Sequence, residues 1–252
     1  MANTLGGAIH VFVAEPFTQV DAVTLARCAA VLQAKERTRA QRHARSGQYQ
    51  RTVLSRFMAR DVLSGFVPAV APGDWMFAVG QHGKPEVAWP QGAPHFNVSH
   101  TRDRIVMCVS SEPCGIDIES DARKGRLMEV AERFLAASES AALRALDAEA
   151  ARRRFLATWT LKEAFVKALG RGLSFELLKQ FAFDLDELSL SITAAADVPR
   201  AWQVWQLEPD PGYLVGVAVA GGLERDLKLW RYCFDASPPL AERVVPLGFF
   251  NT

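Results

Sequence analysis

Gly115-Ile116-Asp117-Ile118-Glu119 alternates apolar and acidic residues with a period of two. A strand sends successive side chains to opposite faces, so Ile116 and Ile118 are expected in a core. Asp117 and Glu119 then project together, roughly 6–7 Å apart along the backbone. Two carboxylates on one face repel unless a cation or a basic group lies between them. Oxygen donors of this kind suit Mg²⁺, which keeps waters and takes one or two carboxylates plus substrate phosphates. An edge strand with a solvated acidic face gives the same alternation.

Downstream, Trp159-Thr160-Leu161-Lys162-Glu163-Ala164-Phe165-Val166-Lys167-Ala168-Leu169-Gly170-Arg171-Gly172-Leu173 changes period. Helical spacing puts Trp159, Glu163 and Lys167 on one face, and Gly170 is a C-terminal stop. On an exposed helix Glu163 and Lys167 would be a plain ion pair contributing about a few tenths of a kcal/mol. In a site, Glu163 would be a third carboxylate or a general base, and Lys167 would neutralise phosphate charge.

Upstream lies Phe96-Asn97-Val98-Ser99-His100. Ser99 and His100 are adjacent, so in a strand they face opposite ways and are poorly placed as nucleophile and base. No G-x-S-x-G turn accompanies them. His100 reads as a phosphate or hydroxyl contact, or as a structural histidine. Further back, Lys35, Arg37, Arg39, Arg42, Arg45, Arg51, Arg56 and Arg60 form a basic stretch, and Gly83-Lys84-Pro85 sets one lysine at a tight turn. Guanidinium forks and ammonium groups from these places would clamp phosphate oxygens; a solvated cationic helix face is the plainer reading.

The remaining chain supports a soluble protein of ordinary composition. Its 252 residues are 49% apolar and 23% charged, with a net charge of +1. That balance points to neither nucleic acid nor a membrane surface as partner. Cys28, Cys108, Cys114 and Cys233 lack metal-ligand spacing and read as reduced core thiols. No signal peptide or membrane span is expected, Tyr213 to Gly222 being too short, and the expected location is cytoplasmic. Strands are expected over Ala8–Val13, Trp75–Val79, Arg104–Val109, Phe181–Leu185, Trp202–Leu207 and Tyr213–Ala220. Helices are expected over Val23–Leu32, around Leu54–Val62, around Leu127–Phe134, and over Ala141–Leu169 as one or two segments.

Taken in series, the GKP, FNVSH, GIDIE and W-x-x-K-E-x-x-x-K-x-x-G-x-G-L stretches resemble the 4′-phosphopantetheinyl transferases. The likeness is to the longer, monomeric subclass typified by the surfactin-synthetase activator, and it runs from about Lys35 to Ala220, with Pro211-Gly212-Tyr213 also in pattern. It implies an α+β fold of two similar subdomains related by a pseudo-twofold, each a small antiparallel sheet flanked by helices. The expected division is 1–112, 113–235 and a surface-wrapping tail at 236–252, with coenzyme A in the cleft between subdomains. The implied activity transfers the phosphopantetheine arm of coenzyme A to a serine of an acyl or peptidyl carrier protein. Asp117, Glu119 and Glu163 would hold Mg²⁺, and Glu163 would deprotonate the serine, directly or through water. Lys167 would stabilise the breaking pyrophosphate. Ser99, His100 and Arg51, with Lys35 assisting, would contact the 3′-phosphate, and Lys84 a phosphate or the adenine pocket. The family often carries a second lysine just after Lys35, where this chain has Thr38 and then Arg39. Leu127, Met128 and Phe134 are the expected apolar docking patch for the carrier. A metal-dependent phosphodiesterase, a non-catalytic binder of coenzyme A or carrier protein, and a basic nucleic-acid module are the competing readings.

Overall fold

Alternation along the strands sets two sheets face to face. In β1 (Ile9–Ala14), Ile9, Val11 and Val13 enter one core while Phe12 and Ala14 enter another. The computed structural model describes residues 5–42, 48–123, 125, 127–193, 198, 201–222, 225–235, 240–242 and 248–251. After β1 come α1 (Ala22–Val31), α2 (Ala34–Gln41), α3 (Gln48–Phe66), β2 (Met76–Val79), β3 (Pro85–Trp89), β4 (His95–Thr101), β5 (Arg104–Ser110) and β6 (Cys114–Ser120). Then follow α4 (Leu127–Phe134), α5 (Ala137–Arg144), α6 (Ala148–Leu169), α7 (Phe175–Lys179), β7 (Phe181–Asp184), β8 (Ser189–Ile192), β9 (Trp202–Asp210) and β10 (Tyr213–Ala220). The chain closes with β11 (Leu227–Tyr232), β12 (Leu240–Glu242) and β13 (Gly248–Asn251).

One sheet runs β12-β11-β1-β5-β4 and the other β6-β10-β9-β13-β8-β7, with β2-β3 as a separate hairpin. Their inner faces share one core, in which Val11 and Val106 meet Ile116, Ile118, Val215 and Val217. Helices α1 to α3 cover the outer face of the first sheet through Cys28, Leu54 and Met58. Helix α6 covers that of the second through Leu161, Phe165 and Ala168. The architecture is α+β, as the sequence implied, and most ladders are antiparallel. Two among the described residues are parallel: β1 with β11, and β13 with β8.

Those parallel pairings redraw the expected division of the chain. The unit placed at 113–235 does not keep its last strand, because β11 crosses back to lie beside β1 with Leu227 opposite Ile9. Leu229 is thereby buried in the core between the sheets. The tail expected to wrap the surface instead adds β12 to the first sheet and inserts β13 next to β9 in the second. Burial of Phe250 against Phe183 and Val204 explains why β13 is drawn inside. The other tail residues, and Arg45 of the basic stretch, lie outside the described residues.

The 141–169 region is two helices. Asp147 separates them: its side chain accepts from the Glu149 and Ala150 amides at 3.0 and 2.9 Å and caps α6. Gly170, at φ 69°, ends α6 in the left-handed conformation. The basic stretch contains a helix that periodicity did not indicate, α2, whose Glu36 is held by Arg60 and Arg56.

Candidate active site

Helix α6 lies flush on β6 and β10 because glycine stands at both contacts. A Cβ at Gly115 would sit 2.1 Å from the Ala164 carbonyl oxygen, and one at Gly216 would sit 2.4 Å from that of Thr160. The helix is also pinned from its far side. Lys162, fully buried, pairs with Glu139 at 2.9 Å and donates to the carbonyls of Leu178 and Phe181 at 2.6 and 2.7 Å. Burial lowers the Lys162 pKa and raises that of Glu139, each against the pull of the other. A buried pair of this kind is stable only when its remaining hydrogen bonds are made, and here they are.

This placement brings the last turns of α6 over the acidic face of β6. Lys167 Nζ lies 2.5 Å from Asp117 Oδ1 and 3.5 Å from Glu163 Oε2. Ser99 Oγ donates to the same Asp117 oxygen at 2.8 Å, and Lys167 donates to Ser99 at 3.1 Å. Glu119 is held by Arg123, four residues on. Asp117 is 5% exposed, and its Oδ2 has no hydrogen-bond partner among the described residues. Burial, and then the Asp117 charge, raise the Glu163 pKa. Burial pushes Glu119 up to about 7, against the pull of Arg123 and with Asp117 and Glu163 adding to the rise. Burial works against the Lys167 ammonium, but Asp117 and Glu163 outweigh it and raise its pKa.

Two adjoining cavities open beside this cluster, sharing Pro85 and Val98 as lining. One, of about 270 Å³, is bounded by Glu163, Lys167, Lys84 and Leu173. The other, of about 470 Å³, is bounded by Lys35, Arg39, Arg56 and His100, with Phe77 and Phe96 as apolar walls. A long polyanion with an apolar arm matches such a groove: cations at one end, carboxylates and a lysine at the other.

The family model for the 4′-phosphopantetheinyl transferase superfamily matches residues 113–218, the segment that carries β6, α6 and β10. The 4′-phosphopantetheinyl transferase HetI of Nostoc sp. is 30% identical over 81% of this chain and 84% of its own. The chain belongs to the 4′-phosphopantetheinyl transferase superfamily. The 4′-phosphopantetheinyl transferase Sfp of Bacillus subtilis is 32% identical over 68% of this chain and 74% of its own. A phosphopantetheinyl transferase of Thraustochytrium sp. is 31% identical over 78% and 73%.

For this transferase, the residues singled out in sequence divide into three groups. Asp117, Glu163 and Lys167 are brought together, with Glu119 beside them on β6. His100 and Lys35 line the basic cavity, and Arg51 on α3 lies near enough for its charge to lower the His100 pKa, after partial desolvation. Ser99 goes elsewhere: alternation along β4 turns it to Asp117 and Lys167, away from His100 and the basic cavity. Lys84 borders the smaller cavity, but its ammonium donates to the backbone carbonyls of Cys114 and Lys167.

The three residues expected as a docking patch differ in exposure. Leu127 is buried with Ala131 and Leu156, while Phe134 stacks on Phe175 at 4.5 Å; only Met128 of the three is exposed. Glu139 and Arg123 were not singled out in sequence. No local pattern marks Glu139; Arg123 carries the i, i+4 spacing to Glu119, which is a weak sign outside a helix.

The Mg²⁺ implied by the motifs can be tested on these side chains. Three carboxylates, an unpartnered buried Asp117 oxygen and two raised carboxyl pKa values match a hard divalent cation in donor type. Among the described residues, however, no three His, Cys, Asp or Glu side chains converge as they stand to enclose an ion. Lys167 and Arg123 hold Asp117 and Glu119, so these cations would have to give way. Among the described residues no helix is long and apolar enough to cross a membrane.

Proposed function

We propose that the protein transfers the 4′-phosphopantetheine group of coenzyme A to a serine hydroxyl of an apo carrier protein, releasing adenosine 3′,5′-bisphosphate. The observation that carries this reading is the meeting of Asp117, Glu163, Lys167 and Ser99 where the basic cavity adjoins the smaller one. Lys35, Arg39, Arg56 and His100 would bind the nucleotide phosphates electrostatically, with Phe77 and Phe96 offering apolar surface to the base. The smaller cavity, with Val98, Val166 and Leu173 on its walls, has room for the pantetheine arm.

Asp117, Glu119 and Glu163 would hold Mg²⁺, which when bound would neutralise pyrophosphate charge. Glu163 would accept the serine proton as the oxygen bonds to the β-phosphorus. Burial and the Asp117 charge make its carboxylate a stronger base than a solvated one. Lys167 stays charged and would stabilise the negative charge gathering on the departing 5′-phosphate as the pyrophosphate P–O bond breaks. Coenzyme A would lie along the two adjoining cavities, from α2 and α3 past β4 to the last turns of α6. Met128 would contribute to the carrier-docking surface.

Intact-protein mass spectrometry of an apo acyl carrier protein tests the reading. Incubation with this protein, coenzyme A and Mg²⁺ should add one phosphopantetheine, on the order of 340 Da, and a chelator should abolish the gain. Glu163→Gln should abolish it too while the chain still folds. Tight coenzyme A binding without modification of several carrier types would sink the transferase reading, as would breakdown of coenzyme A without transfer.

A further inference from the structure

The β2–β3 hairpin ends in a tight turn. The Gly80 amide donates to the Lys84 carbonyl at 2.9 Å, the Gly83 amide donates to Gly80 at 2.9 Å, and Gly83 has φ 84°. The turn aims Lys84 at the second sheet. Its Nζ donates to the Cys114 carbonyl, at the start of β6, at 2.9 Å and to the Lys167 carbonyl, in the last turn of α6, at 2.8 Å.

The Lys167 carbonyl needs such a donor. The last carbonyls of a helix have no intrahelical partner, and the dipole favours a cation there. The Gly170 amide takes the Val166 carbonyl at 3.0 Å, and Lys84 takes the next one along. Two of the three ammonium protons are thus committed to backbone. A phosphate could engage Lys84 in full only by breaking bonds that tie three elements together.

We propose that Lys84 is a positioning residue rather than a phosphate ligand: it staples the β2–β3 hairpin to the start of β6 and the end of α6, holding the Lys167 backbone over the carboxylates of β6. The inference rests on the transferase reading above. Lys84 contacts the backbone of the very residue whose side chain reaches Asp117 at 2.5 Å. Without the staple, the last turn of α6 loses a tether to β6 other than the Lys167 side chain itself.

The test uses the full chain. Lys84→Met keeps the stem and removes the donors; Lys84→Arg restores two N–H groups. Coenzyme A affinity by calorimetry should stay within about twofold in Lys84→Met, while kcat for carrier modification falls on the order of 100-fold, the usual cost of an ångström-scale misplacement. Lys84→Arg should recover part of kcat. A phosphate ligand would do the reverse: affinity weakened about tenfold or more with kcat kept would overturn the proposal. Amine acetylation of the wild-type chain, read by mass spectrometry, needs no variant. Lys84 should label slowly with and without coenzyme A; fast labelling that coenzyme A suppresses would overturn the proposal even if Lys84→Met does not fold. A wild-type chain that binds coenzyme A but transfers nothing would defeat the transferase reading, and the labelling result would still decide the role of Lys84.

Discussion

Gly115→Ala is the smallest change that should separate α6 from β6. The added methyl carbon would stand 2.1 Å from the Ala164 carbonyl oxygen and 2.4 Å from the Ala168 amide nitrogen, both backbone atoms that no rotamer change can move. Ordinary contact begins at 3.4 Å, so the helix must retreat by about 1.3 Å at this point. Ala164 adjoins Glu163, and Ala168 adjoins Lys167, so the shift falls on the two side chains that meet Asp117. Overpacking of this kind costs about 1–3 kcal/mol of stability. A displacement near 1 Å at reacting groups lowers kcat on the order of 100-fold. Denaturant unfolding and the carrier-modification assay read the two effects separately. Gly73→Ala is the control, since the nearest atom to its added carbon is the Val31 carbonyl oxygen at 3.9 Å; its effect should stay within about 0.5 kcal/mol. A Gly115→Ala protein with wild-type unfolding midpoint and wild-type kcat would refute the claim that the flush contact sets the site.

Three other outcomes follow from the charges. Partial desolvation, then Arg51, hold the His100 pKa below its ordinary 6.5, so the folded protein binds fewer protons there than the unfolded chain. Stability from this group is therefore intact above 6.5 and declines as pH falls toward the folded pKa; a nearby 3′-phosphate should raise that pKa. Histidine NMR titration should show the rise with coenzyme A but not with its 3′-dephospho form, and an equal shift with both would place the 3′-phosphate elsewhere. Arg123→Gln should tighten Mn²⁺ binding in the absence of coenzyme A, read by electron paramagnetic resonance, because Glu119 no longer has a competing cation; weaker binding would show that Arg123 supports the ion instead. Lys162→Met should cost about 3–5 kcal/mol by leaving Glu139 buried without its counter-charge, and adding Glu139→Leu should restore part of it. Strictly additive losses on denaturant unfolding would mean that the pair is not coupled.

Much of the site was legible in the chain because its motifs rest on local periods. The alternation at 115–119 separates Ile116 and Ile118 from Asp117 and Glu119, and the structure sends the isoleucines into the inter-sheet core as that period demands. The i, i+4 spacing joins Glu163 to Lys167, and Gly170 ends the helix where a left-handed residue is needed. The same rule of alternation implies that Ser99 and His100 part company, although their shared motif invited one common role.

What tertiary structure alone decided involves partners distant in sequence. Lys84 reaches a carbonyl 83 residues away, Ser99 finds Asp117 18 residues on, and Glu139 answers a lysine on another helix. The crossing of β11 to β1 and the insertion of β13 also depend on which sheet still has an edge to pair once the two cores have closed. A local period fixes which face a side chain takes, because it follows from backbone geometry. It leaves open what stands opposite that face, which is set by how the sheets and helices pack.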